Sequence, residues 1–230
     1  MKIKYRLTPM LAFGITITAW GQQGATPAKP ADNGPTLAET MIFIQEKLTE
    51  QGQVGWAEIR SNQPGFTFRN IFVLTDVMAD PAACTFYGTS TLDSTMDLPK
   101  GRVVKPGGAF TADDLHTHTV TTSSTPLKQI EKITVEKLQD VRNEAFAEAA
   151  HPDITVTVTP PVFFVKMSAS NAVLSAHTST TQGNRTPVEK DVTIKTGGIP
   201  VRDEETANKV AKAMNHAMEL CGGGPKKEIF

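Results

Sequence analysis

Residues 203–221 read DEETANKVAKAMNHAMELC. Ala207, Val210, Ala211, Met214, Ala217, Met218 and Cys221 recur at the spacing of one helix face, while Lys209, Lys212, Asn215, His216 and Glu219 fall on the others. Asp203 is suited to cap the helix, and Glu204 and Glu205 lie in the first turn, where the positive end of the helix dipole favours acids. Gly222 follows as the stop. A single apolar stripe must be buried against something, and most of the chain upstream is patterned for strands rather than helices. Such strands, not regularly alternating with helices, argue against a doubly wound parallel sheet. The expected class is α+β: a mainly antiparallel sheet or roll carrying an N-terminal helix, a short central helix and this C-terminal packing helix.

Working towards the N-terminus, Val192 to Thr196, Val173 to Thr181 and Val162 to Met167 read as strands, the last buried on both faces. Gln182-Gly-Asn-Arg185 is a turn, and Pro160-Pro161 separates the strand at 162 from Ile154-Thr-Val-Thr-Val-Thr159, where apolar and polar residues alternate. Val141 to Ala150 has helix formers and ends at His151-Pro152. Ile130, Ile133 and Val135 suggest a strand, and the Thr-rich run from 109 to 125 suits strands through its β-branched side chains. Further upstream, Cys84 to Ser90, Ile71 to Met78, Phe66-Thr-Phe68 and Val54 to Ile59 are strand-like, with turns at 62–65, 79–82, Pro99-Lys-Gly101 and Pro106-Gly-Gly108; residues 91–105 are expected to form a short hairpin. Thr36-Leu-Ala-Glu39 is a capping box ahead of Leu37, Met41, Ile44 and Leu48, which predicts a helix over 37–50 ended by Gly52.

The N-terminus has the pattern of an export signal. Lys2, Lys4 and Arg6 precede an uncharged run from Leu7 to Trp20 that closes on Ala19-Trp20-Gly21. That run of about 14 residues is short of the roughly 20 needed to span a bilayer, which leaves an uncleaved anchor as the alternative. The expected organisation is a signal peptide over 1–21, a disordered Gly/Pro/Ala-rich tether over 22–35, one domain over 36–221 and a flexible tail over 222–230. Removing 1–21 takes away three of the 23 basic residues and none of the 24 acidic ones, leaving a net charge of −4. That mildly acidic balance offers no footprint for nucleic acid. No later run is long enough to span, so no membrane span is expected after cleavage. The expected location is periplasmic or extracellular.

The two cysteines, Cys84 and Cys221, suggest one disulfide in an exported domain. The alternative is two buried thiols acting as small hydrophobes. Asp113-Asp114-Leu-His116-Thr-His118 is the cluster with ligand chemistry. On a strand, His116 and His118 would share a face with Asp114 and could chelate a metal; the alternative is a solvated polar edge. His151 and His177 show no evident partner, and His216 suits the C-terminal end of its helix. Ser123-Ser124 has no activating neighbour in sequence. The motifs GxSxG, GxGxxG, HExxH and the P-loop do not occur. Trp56, Phe66, Phe68, Phe72, Phe86 and Tyr87 are expected in the core.

Pro200 to Gly223, together with Thr36-Leu-Ala-Glu-Thr-Met-Ile-Phe-Ile-Gln-Glu-Lys-Leu48 and Asp80-Pro-Ala-Ala-Cys84, resembles uncharacterised exported bacterial proteins. The strand-then-helix ending is also similar to pleckstrin-homology-like rolls, in which a C-terminal helix plugs one end of a bent antiparallel sheet. Neither resemblance implies an activity, and no cofactor is implied. Three functions are compatible with these readings. One is a non-catalytic exported binding or interaction domain of the cell envelope, whose partner is an envelope protein, a peptide or a lipid. The second is a metal-dependent hydrolase using Asp114, His116 and His118, and the third is a structural envelope component.

Overall fold

The computed structural model describes residues 34–103 and 111–225. The expected signal at 1–21, most of the tether, the turn at 106–108 and the last five residues lie outside the described residues. Contacts divide the chain at Gly34/Pro35, and every element described here belongs to the unit that begins at Pro35.

Helix α1 (Leu37–Glu50) starts at the capping box: the Thr36 hydroxyl accepts from the Glu39 amide, and the Glu39 carboxylate accepts from the Thr36 amide. Met41, Ile44 and Leu48 form its buried face. Then come β1 (Gln53–Arg60), β2 (Thr67–Asp80), β3 (Thr85–Asp97) and, after a short 3-10 turn at Ala112–Leu115, β4 (His116–Pro126). Next are β5 (Lys132–Lys137), α2 (Leu138–Glu148), β6 (Val156–Thr159), β7 (Phe163–Ser168), β8 (Leu174–Gln182), β9 (Val188–Ile194), β10 (Thr196–Val201) and α3 (Glu204–Leu220). All pairings are antiparallel, so the α+β class and its three helices stand as expected. Among the described residues no helix is long and apolar enough to cross a membrane.

Seven strands form one long sheet in the order β6-β1-β2-β3-β4-β8-β9, and β10-β7-β5 form a second. The hairpin expected over 91–105 is not formed. β3 continues unbroken to Asp97 because β2 is equally long and pairs with it from Thr67↔Asp97 to Asp80↔Thr85, with a bulge between Leu74 and Asp76. The strand β10 is absent from the sequence reading because Gly197, Gly198 and Pro200 argue against a strand. It exists as an edge strand, where proline is tolerated. Gly198 is required there: a Cβ at that position would lie 2.4 Å from the Val165 carbonyl oxygen and 2.5 Å from the Phe164 ring.

The main core joins the inner faces of both sheets to α1 and α3. Val165 and Met167 of β7 meet Val210, Met214 and Met218 of α3, with Leu127, Ile130 and Phe86 around them. A second core of Val54, Leu138, Val156, Val158 and Val162 lies under α2. Strand β7 buries Val165 and Met167 on one face, while Phe164, Lys166 and Ser168 on the other are only half-buried, so the expected burial on both faces is not met. α2 is fastened by Lys166, which pairs with Glu144 at 2.6 Å and Glu136 at 3.2 Å. It is also held by Arg142, which reaches the buried Glu58 carboxylate at 3.3 Å.

Cys84 and Cys221 form a disulfide with a Cα–Cα distance of 5.8 Å across 137 residues. It ties the turn before β3 to the end of α3. The chain beyond Cys221 remains ordered for a little way: the Gly223 amide donates to Met218 and the Gly224 amide to Ile130. A Cβ on Gly223 would lie 2.4 Å from the Leu127 carbonyl oxygen, so the start of the expected tail is packed against the protein.

Candidate binding cleft

The middle of the large sheet is built from β4, whose sequence HTHTVTTSSTP lacks apolar alternation. Threonine favours the extended strand at either face. The pairings His118↔Asp93 and His118↔Thr181 set the register, so His116, His118, Val120, Thr122 and Ser124 share one face of β4. Thr117, Thr119, Thr121, Ser123 and Thr125 occupy the opposite, inward face, which shares its side of the sheet with Phe86, Gly88 and Ser90 of β3.

The outer face holds the histidines. Asp93 of β3 lies between them, with His118 Nδ1 at 2.7 Å and His116 Nε2 at 3.6 Å from its Oδ1. Asp114 does not join that face. It belongs to the 3-10 turn before β4, where its carboxylate accepts from the Thr111 amide at 2.6 Å, the Thr111 hydroxyl at 3.0 Å and Arg185 Nη2 at 2.7 Å. The Thr111 amide first, then its hydroxyl and Arg185, hold the Asp114 carboxyl below the usual aspartate range. The strand spacing that would align Asp114 with the two histidines therefore does not apply, and no group of three His, Cys, Asp or Glu side chains suited to a metal occurs among the described residues. His177 has the partners that sequence could not supply: Asp191 at 2.8 Å and Glu189 at 3.0 Å, both from β9. His216 Nε2 donates to the Pro35 carbonyl oxygen, 3.0 Å away.

Inside, a partly enclosed cleft of about 190 Å³ separates the large sheet from β10, α1 and α3. Its floor is apolar: Leu48, Phe86, Met167, Leu174 and Met214 are all buried. Phe72, Leu74, Ile194 and Ile199 extend the walls, and Ile194 is 40 % exposed at the rim. Ser90, Thr121, Ser123 and Thr125 present hydroxyls. Ser123 donates to the Gly88 carbonyl at 3.3 Å, whereas Ser90, Thr121 and Thr125 make no side-chain hydrogen bond among the described residues. The lining contains no Asp, Glu, Lys, Arg or His side chain. No histidine lines the cleft beside Ser123 or Ser124, so neither serine has a general base there.

A second, broader groove of about 1020 Å³ runs beside α3. Phe43, Ile133, Val135, Ala211 and Ala213 line it together with charged Glu39, Lys209, Lys212 and Glu219. The aromatics divide between several environments. Phe86 is core, Trp56 and Phe72 pack against the smaller core, and Phe68 lies under the Arg60 guanidinium at 4.2 Å. Tyr87 is 38 % exposed, contrary to the core expectation, because its place in the register puts it on the outer face. The hydroxyl-lined cleft had one sequence signal, the run of Thr and Ser through a strand with no apolar alternation. The opposing wall, from β10 and α3, is distant in sequence and left no trace.

Comparison with family models, with curated proteins and with solved structures returns no match to this chain.

Proposed function

We propose that the protein is a non-catalytic, exported binding domain that takes a small molecule into the cleft between its two sheets. The observation that carries this reading is the uncharged cleft itself, an apolar floor with unpaired hydroxyls above it. Ligand sites commonly combine an apolar lining with a few polar groups that orient the ligand. The outer-face histidines support no comparable chemistry: the carboxylate needed by a hydrolase using Asp114, His116 and His118 is engaged with Arg185. The disulfide is consistent with an oxidising compartment.

Thermal denaturation of the purified protein tests this. Small neutral organic compounds are expected to raise the melting temperature, whereas zinc does not and confers no ester or phosphoester hydrolysis. Zinc-dependent stabilisation together with hydrolysis lost in His118→Ala would overturn the proposal.

A further inference from the structure

We infer that the ligand of the cleft is a neutral compound of about one-ring size carrying a single hydrogen-bonding group, and that Gly88 keeps the site open for it; this rests on the binding reading above. Size comes from the volume. A cavity of about 150 Å³ lined by apolar residues admits benzene, and this cleft, at about 190 Å³, is modestly larger. Neutrality comes from the lining. No side chain there offers a counter-charge, so an ionised carboxylate or ammonium would lose its hydration without compensation. The polar group comes from Thr121, whose hydroxyl faces the cleft and makes no hydrogen bond among the described residues.

Gly88 stands in the middle of β3, where a side chain would ordinarily strengthen the strand. Nothing in its surroundings demands glycine. A Cβ built on it meets Ser123 Oγ at 3.6 Å and Leu74 Cδ1 at 3.7 Å, ordinary contact distances, and its backbone is not in the left-handed region. This contrasts with Gly198, where the backbone of a neighbour forbids a side chain. The missing side chain of Gly88 leaves room in the cleft on the β3 side.

The test compares benzyl alcohol, toluene and benzoate by calorimetry on the full chain and on two variants. Benzyl alcohol is expected to bind about tenfold or more tightly than benzoate. Gly88→Val fills the cleft with a residue suited to strands, so it should melt no lower than the parent while losing both benzyl alcohol and toluene. Thr121→Val removes one hydroxyl at constant shape, so it should keep toluene and weaken benzyl alcohol. Equal binding of benzoate and benzyl alcohol would overturn neutrality and leave the binding reading standing. Unaltered binding in Gly88→Val would overturn the role of Gly88. Binding of none of the three probes would overturn the binding reading as well. If Gly88→Val fails to fold, the Thr121→Val comparison still decides whether the probes occupy this cleft.

Discussion

Glu58 lies 3 % exposed at the junction of β1 and α2, and two arginines meet it there. Arg60 Nε is 2.7 Å from its carboxylate and Arg142 reaches it at 3.3 Å, with the Phe146 ring 5.6 Å from both guanidinium carbons. Removing one member of a buried ion pair costs more than the pair is worth, because the remaining charge is left without its partner. Both arginines keep some solvent access, which reduces that cost. Glu58→Gln should therefore destabilise the protein by about 2 kcal/mol in urea unfolding; a loss under about 0.5 kcal/mol, the range of ordinary surface changes, would contradict the role assigned to the cluster. On the outer face, the Asp191 hydrogen bond, followed by the charges of Asp191 and Glu189, raises the pKa of His177 above the ordinary histidine value. A folded value above the unfolded one means that the contribution to stability is fully present below the unfolded value of about 6.5 and is lost as pH rises through the folded value. An NMR titration of His177 is expected to show a midpoint above 6.5, which Asp191→Asn returns towards it; an unchanged midpoint in that variant would rule out Asp191 as the cause.

At the scale of elements, the Cys84–Cys221 bond joins the turn that launches β3 to the end of α3. Both cysteines are buried in the main core, beside Leu127, Phe86 and Met218. In the chain-entropy model, closing a loop of 137 residues contributes about 5 kcal/mol. The double variant Cys84→Ser/Cys221→Ser should therefore unfold at markedly lower denaturant with a similar final fold; an unchanged midpoint would show that the bond constrains nothing. The helices were legible because their signals are local. The Thr36–Glu39 box and the stripe from Ala207 to Met218 are complete within a few turns of chain, and both helices lie where those signals put them. α2 begins at Leu138, three residues ahead of its sequence signal, because Leu138 is drawn into the smaller core. β10 was not legible, since its Gly-Gly and Pro oppose a strand locally and only the approach of Val165 and Phe164 explains them. The same holds for the site. The hydroxyl wall from β4 was visible as composition, whereas Asp93, Asp191 and Arg185 reach their partners through strand pairing or tertiary contact that no local pattern reveals.

The described residues form a long antiparallel sheet whose inner face is covered by a smaller sheet and two helices, except where hydroxyls and a glycine leave a cleft. The proposed export predicts that the native secreted chain begins at Gln22 by intact-mass analysis and contains no free thiol. The proposed binding site is the cleft, not the broader groove beside α3. The most direct measurement is residue-resolved NMR of the protein titrated with benzyl alcohol. The account predicts saturable amide shifts concentrated at Gly88, Ser90, Thr121, Ser123 and Gly197, residues that come together only in the cleft. Shifts concentrated instead at Phe43, Val135, Lys212 and His216, or spread without saturation over the surface, would contradict it.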